Sequence, residues 1–131
     1  MAAPGRHEPE PTLIADVFAR DCTSRDVLAG VVSTWGTLAL LALGEGPYRF
    51  NALRRRVDGI SEKMLAQTLR TLERDGFVVR DVQATIPPKV EYALTPAGTA
   101  VAEQLLGLVQ LIEASVDGVA AARATYDAAA G

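Results

Sequence analysis

The sequence predicts a mostly helical α+β fold, and three observations carry this prediction. Two short amphipathic segments, at residues 49–57 and 62–75, are separated by a turn that contains Gly59. Over residues 77–94 the apolar period changes from 3.6 to 2, which predicts a two-stranded hairpin. A long apolar helix pattern follows from residue 96. Together they predict a winged helix-turn-helix domain with a two-stranded wing and flanking N- and C-terminal dimerisation helices.

The length and composition fit one domain. The chain has 131 residues, of which 49% are hydrophobic and 22% charged, enough for one packed core. Residues 1–12 are Pro-rich and predict a disordered tail, and residues 13–126 predict the single domain. The longest apolar run, at 38–43, is far shorter than the ~18 residues of a membrane span. With no apolar signal segment, a cytoplasmic protein without a membrane partner is expected.

The sequence has few of the residues needed for catalysis or metal binding. His7 is the one histidine and lies in the predicted tail, and Cys22 is the one cysteine. These two cannot supply a Ser-His-Asp or Cys-His arrangement within the domain, nor the four ligands of a structural zinc site. There is no glycine-rich phosphate loop. We therefore expect no enzyme activity, no cofactor and no metal.

The N-terminal part predicts three helices. Leu13, Ile14, Val17 and Phe18 occupy one face of a helix over 13–20. Ser24 is the expected N-cap of a helix that ends at residue 32. The apolar stretch from Trp35 to residue 43 predicts a buried helix, which the Gly/Pro cluster at 44–47 ends.

The middle part predicts the two helices of a helix-turn-helix. Residues 49–57 carry apolar side chains on one face and arginines on the other. Residues 58–60 form a tight turn, and Ser61 is the expected N-cap of a helix over 62–75 that stops at Gly76. We expect one side of that helix to be buried through Met64, Leu65, Leu69 and Leu72.

The rest of the chain predicts a wing and one long helix. Strands at 77–82 and 89–94 are connected through two prolines, and Thr95 and Pro96 begin a helix over 96–126 with a frayed end. About 30 helical residues span ~45 Å, longer than a ~30 Å domain. The overhanging apolar stripe predicts a homodimer, although the N-terminal helix could instead cover the stripe within one chain. The expected interface residues are Leu13, Val17, Phe18, Leu105, Leu108, Ile112 and Val116.

The charge is distributed unevenly along the chain. Nine of thirteen cations lie in residues 49–89, which carry +4, whereas residues 1–48 carry −3 and residues 90–131 carry −4. A basic middle within an acidic protein predicts a phosphate-binding surface, with a solvated cationic helix face as the alternative.

Double-stranded DNA is the expected partner. The helix over 62–75 would enter the major groove, where glutamine pairs with adenine and arginine with guanine, while the other cations and the helix N-terminus would meet phosphates. The predicted DNA-binding residues are Arg54, Arg55, Ser61, Lys63, Gln67, Arg70, Arg74 and Lys89.

Four segments resemble the HxlR family of bacterial winged-helix transcription regulators. They are GPYRFNAL at 46–53, GISEKML at 59–65, LRTLERDGFV at 69–78 and PPKVEYALTPAG at 87–98. The resemblance extends from about Cys22 to residue 105. It implies a homodimer, joined through N- and C-terminal helices, that binds operator DNA and represses or activates nearby genes. A winged-helix module that binds protein is the alternative.

Two positions depart from the family pattern. Cys22 is followed by Thr23 where the family usually has proline, and Ser33-Thr34-Trp35 stands where it usually has Gly-Lys-Trp. The resemblance implies a redox-sensor role for Cys22, since some members sense oxidants through this cysteine. A small apolar effector in a dimer-interface pocket is the competing input, and simple packing is a third role for Cys22.

Overall fold

The computed structural model describes residues 17–131, which fold into six helices and one two-stranded antiparallel sheet. The predicted tail and Leu13 lie outside the described residues. In chain order the elements are α1 (Thr23–Val32), α2 (Thr34–Leu43), α3 (Phe50–Arg56), α4 (Glu62–Arg74), β1 (Val78–Gln83), β2 (Lys89–Leu94), α5 (Pro96–Ala114) and α6 (Val116–Ala130). This order of helices and hairpin confirms the predicted fold class.

Helix α2 is the centre of the core. Nearly every position of this helix is apolar, and Ala39 and Leu40 are completely buried. It contacts α1, α3, α4, α5 and β2. Leu53 from α3 and the α4 leucines supply the other large buried side chains. The predicted buried helix is therefore confirmed, and the helix-turn-helix and the wing are both packed against it.

The junction between α1 and α2 depends on Ser33. Its hydroxyl donates to the carbonyl oxygen of Gly30 at 2.8 Å and accepts from the amide of Gly36 at 3.0 Å. A Cβ atom on Gly36 would collide with that same carbonyl, so the close approach of the two helices requires glycine. The chain bends by 73° at this point, which brings α1 against α2 and α4.

The two helices of the helix-turn-helix begin and end within one residue of their predicted bounds. Between α3 and α4, Gly59 has a φ of 88°, the left-handed conformation that glycine adopts without strain. Ser61 is the N-cap of α4, because its hydroxyl accepts from the amide of Met64 at 3.0 Å. Gly76, with a φ of 84°, follows the end of α4.

One residue of α4 does not take its predicted place. Leu65, Leu69 and Leu72 are buried as expected, but Met64 is 39% exposed. The burial of this residue was predicted wrongly because the core face of α4 is a narrow stripe spaced four and three residues apart, and Met64 falls on its margin.

The wing is an antiparallel hairpin attached to the core at its base. Val78 pairs with Leu94 at the base, and Gln83 pairs with Lys89 near the tip. The first strand begins at Val78 rather than at Phe77, whose amide still bonds to α4 through the carbonyl of Leu72. The segment before α3 adds a bridge to β2, which ties the helix-turn-helix to the wing.

The C-terminal segment is two helices, so the prediction of one continuous helix over 96–126 was wrong. The chain bends by 57° between α5 and α6. At the break the hydroxyl of Ser115 donates to the carbonyl of Leu111 at 2.8 Å, a back-bond that bends helices. The helical conformation also continues beyond Tyr126 to Ala130, where fraying was expected.

The N-terminal elements differ from prediction in two ways. Residues 17–21 form turns rather than the last part of a helix over 13–20, and residues 13–16 lie outside the described range. Helix α1 begins one residue before Ser24, so Cys22 occupies the N-cap position, without a side-chain cap bond. In the described range no single helix is long and apolar enough to cross a membrane; only the bent pairs α1–α2 and α5–α6 reach that length together.

Candidate nucleic-acid interface

The outer face of α4 carries four of the predicted DNA-binding residues. Leu65, Leu69 and Leu72 anchor the opposite face in the core and so determine the rotation of the helix about its axis. The four polar side chains then follow the solvent side, and each of them is exposed: Lys63, Gln67, Arg70 and Arg74. None of the four makes an ion pair with another residue in the range 17–131, so all four are available to a ligand.

The N-terminus of α4 lies beside this row. Ser61 is exposed, and its hydroxyl oxygen already accepts from Met64. The amides of Glu62 and Lys63 have no acceptor in the described chain. Free amides at a helix N-terminus favour an anion, although the carboxylate of Glu62 opposes part of that field.

The three arginines at the end of α3 are not equivalent. Arg54 and Arg55 are exposed, and neither has an acidic partner within the described residues. Arg56 makes a bidentate pair with Glu45, through Nε to Oε1 at 2.8 Å and Nη2 to Oε2 at 2.7 Å. The ion pair holds Arg56 against the segment that follows α2, so Arg54 and Arg55 are the arginines of α3 that remain free to meet a phosphate.

The Glu45 pair includes a third side chain. The hydroxyl of Tyr48 donates to Oε1 of Glu45 at 2.8 Å. The hydrogen bonds from Arg56 and then from Tyr48 lower the pKa of Glu45 to about 2. The same bond to Glu45 raises the pKa of Tyr48. Because Glu45 and Arg56 are exposed, this cluster connects the end of α3 to the preceding loop with only a modest effect on stability.

The wing places Lys89 near its tip, exposed at the start of β2. Residues paired across the two strands share a face, and so do residues two apart. Lys89 therefore lies on the same face as Asp81 and Glu91, whereas Arg80 lies on the opposite face beside Tyr92. The sequence pattern did not reveal that two carboxylates accompany Lys89.

The predicted dimer residues fall into different environments. Leu108, Ile112 and Val116 are about half exposed, and Phe18 is almost fully exposed. Val17 is half-buried, and Leu13 lies outside the described residues. Leu105 is 7% exposed because it packs into the core of its own chain, so its assignment to the dimer interface was wrong.

Cys22 is partly buried at the N-cap of α1. Its amide donates to the carbonyl of Ala19 at 3.1 Å, and its carbonyl accepts from Asp26 at 3.2 Å. The thiol is free in the described chain. The side chain is thus neither sealed in the core nor fully open to water.

Comparison with known proteins identifies the family of this chain. The model of the HxlR-like helix-turn-helix family matches residues 31–119. An Escherichia coli K12 relative, described as the uncharacterized HTH-type transcriptional regulator YtfH, is 50% identical over 108 residues, which cover 82% of this chain and 86% of the relative.

Two solved structures extend the comparison. The putative transcriptional regulator ytfH from Salmonella typhimurium is 48% identical with a TM-score of 0.76, over 82% of this chain and 96% of that one. The redox regulator HypR in its reduced form is 33% identical with a TM-score of 0.68, over 75% of this chain and 97% of that one.

Proposed function

The chain belongs to the HxlR-like helix-turn-helix family of transcription regulators, and we propose that it binds specific operator DNA as a homodimer with α4 in the major groove. The observation that carries this proposal is the row of four free polar side chains on α4, opposite a face that is buried in the core. A helix with a defined rotation can present the same side chains to the same base edges each time it binds.

The chemistry of this row supports base recognition. Gln67 can pair with adenine through its amide, and Arg70 with guanine through its guanidinium, both in two-bond geometry. We assign phosphate contacts to Arg54, Arg55 and Lys89, which lie outside α4 on the neighbouring elements. Ser61, Lys63 and Arg74 flank the two base-reading residues at the ends of α4.

Two substitutions separate base reading from phosphate binding. Arg70→Ala should weaken binding to the cognate operator by ~1–3 kcal/mol and relax its sequence preference, because one base contact is lost. Lys89→Ala should weaken binding to all duplexes alike, and the salt dependence should show that about one fewer counterion is released on binding. Gel-shift titrations at several salt concentrations measure both effects. Arg123→Ala on α6 is the matched control and should bind as the wild type does.

Two outcomes would contradict the DNA assignment. Unchanged operator affinity in both variants would remove α4 and the wing from the interface. Wild-type binding that does not weaken with added salt would favour the alternative, a winged-helix module that binds protein, because phosphate contacts release counterions.

An apolar surface formed by α1 and α5 supports the dimer. Leu28 on α1 and Val101 on α5 line an apolar groove of about 410 Å³. Val101, Leu108 and Ile112 share one face of α5, since seven residues return to nearly the same direction at about 100° per residue. This surface is continuous with the half-exposed part of the predicted stripe, and a second copy would cover it.

The input signal has two candidates, oxidation of Cys22 and a small ligand. Cys22 is partly accessible at the N-cap of α1, and the solved relative HypR is described as a redox regulator. If diamide takes two electrons and two protons from a pair of Cys22 thiols, one intersubunit disulfide forms. Such a bond would tilt α1 and change the spacing of the two copies of α4, which must match half-sites ~34 Å apart.

The redox candidate is tested with operator binding before and after diamide. Wild type should release its operator, and Cys22→Ser should keep it. If the serine variant responds equally, or if wild type holds its operator through oxidation, then Cys22 is a packing residue and the input is a ligand. Action on operator DNA in a bacterial cell would take place in the cytoplasm.

A further inference from the structure

A cavity of about 880 Å³ in the described part of the chain is not used by the proposed DNA contacts. It lies between the C-terminal half of α2, the end of α3, the end of β2 and the first half of α5. Its volume is within the range of cavities that bind drug-sized molecules.

The walls of this cavity are largely aliphatic. Leu38 and Leu41 project from α2, and Leu106 projects from α5. Leu38 is 38% exposed and Leu106 is 48% exposed, so both present apolar surface to water. An apolar ligand seated between them would remove this surface from water and gain free energy in proportion to the area covered.

The charges at the cavity are predominantly negative. Asp58 and Glu103 line it, and neither makes an ion pair with any residue between 17 and 131. The third carboxylate, Glu45, is neutralised by the one lining cation, Arg56. The net charge of the lining residues is therefore −2 and comes from the two carboxylates without partners, which favours a cation and disfavours an anion.

The cavity and the proposed dimer surface lie on different sides of α5. Glu103 and Leu106 face the cavity. Leu108 is two positions beyond Leu106, which is about 200° around the helix. The cavity and the proposed dimer surface therefore use different faces of α5, so a second copy seated on Leu108 and Ile112 alone does not compete with a small molecule in the cavity.

We propose that this cavity binds a lipophilic monocation, with its apolar groups between Leu38 and Leu106 and its charge beside Asp58 and Glu103. The proposal deepens the proposed function by naming the class and the site of a small effector, and it rests on that function only for the regulatory consequence. A ligand here contacts both α3 and α5, so it links the helix-turn-helix to the helix of the dimer surface.

Tetraphenylphosphonium and tetraphenylborate test the proposal, because they have the same shape and opposite charge. Isothermal titration calorimetry of the full chain, without DNA, should show one tetraphenylphosphonium per chain and an affinity about tenfold higher than for tetraphenylborate. Since no DNA is present, a negative result here is distinct from a failure of operator binding.

Substitution at the cavity locates the binding. Asp58→Asn and Glu103→Gln each remove one exposed charge, and each should lower the affinity for tetraphenylphosphonium by about fivefold. Both variants should bind tetraphenylborate as tightly as the wild type does, or more tightly. Glu113→Gln, an exposed carboxylate on the last turn of α5 that does not line the cavity, is the matched control and should change neither affinity.

Three results would overturn the proposal. The first is no binding of tetraphenylphosphonium, or equal binding of the two probes. The second is a double variant, Asp58→Asn with Glu103→Gln, that binds the cation as wild type does. The third is an affinity for tetraphenylphosphonium that falls as the chain dimerises, with dimerisation followed in parallel by analytical ultracentrifugation. That result would show that a second copy occupies the cavity.

Discussion

At the scale of single residues, one glycine on α5 matters for its lack of a side chain. The amide of Gly98 donates to the N-cap hydroxyl of Thr95 at 3.1 Å. A Cβ atom on Gly98 would collide with the carbonyl oxygen of Phe77. That oxygen accepts from the amide of Thr95 at 3.1 Å, and it cannot move away without breaking the joint between wing and helix.

We therefore expect Gly98→Ala to lower the free energy of unfolding by about 1–3 kcal/mol, the cost of overpacking. Gly107→Ala on the same helix is the control, because a Cβ there meets nothing within 4 Å. It should raise stability by up to ~1 kcal/mol through helix propensity. Urea unfolding followed by circular dichroism measures both. Equal changes in the two variants would contradict the collision.

At the scale of elements, the start of α2 depends on a side-chain cap that the sequence analysis did not predict. Ser33 caps α2 and also bonds to α1. Ser24, the expected cap of α1, lies exposed in its first turn and makes no side-chain hydrogen bond in the described chain. Ser33, which departs from the family pattern, thus has a structural role.

Ser33→Ala should lower the free energy of unfolding by ~0.5–2 kcal/mol, because the amide of Gly36 loses its acceptor. Ser24→Ala should change it by far less. Thermal and urea unfolding of the two variants make the comparison. A larger loss for Ser24→Ala would show that the first turn of α1, and not the α1–α2 junction, limits stability.

The elements also differ in how well the sequence predicted them. Helix α4 was predicted almost to the residue, because its leucine stripe, Ser61 and Gly76 act locally. The break at Ser115 was missed, because the apolar spacing continues across it and the back-bond to Leu111 leaves no mark in that spacing. The pairing of Arg56 with Glu45 was missed as well, since eleven residues separate them.

At the scale of the whole molecule, the half-exposed stripe on α5 and α6 predicts assembly. The chain should sediment at about 28 kDa at micromolar concentration, twice its 13.9 kDa mass. Ile112→Asp should give monomers, because a carboxylate would enter an apolar interface. Gln110→Asp, on the other side of α5, places the same charge in solvent and should remain dimeric. A wild-type monomer by analytical ultracentrifugation would refute the dimer.

Local patterns in the sequence determined the order of helices and hairpin, the basic middle, the free side chains of α4 and the family. Periodicity, caps and glycines act over a few residues, so these features are readable without coordinates. Only the tertiary structure decided that Leu105 is core, that Arg56 is paired and that an apolar cavity with two unpaired carboxylates lies beside α5. Each of these depends on contacts between segments distant in sequence, which no local spacing specifies.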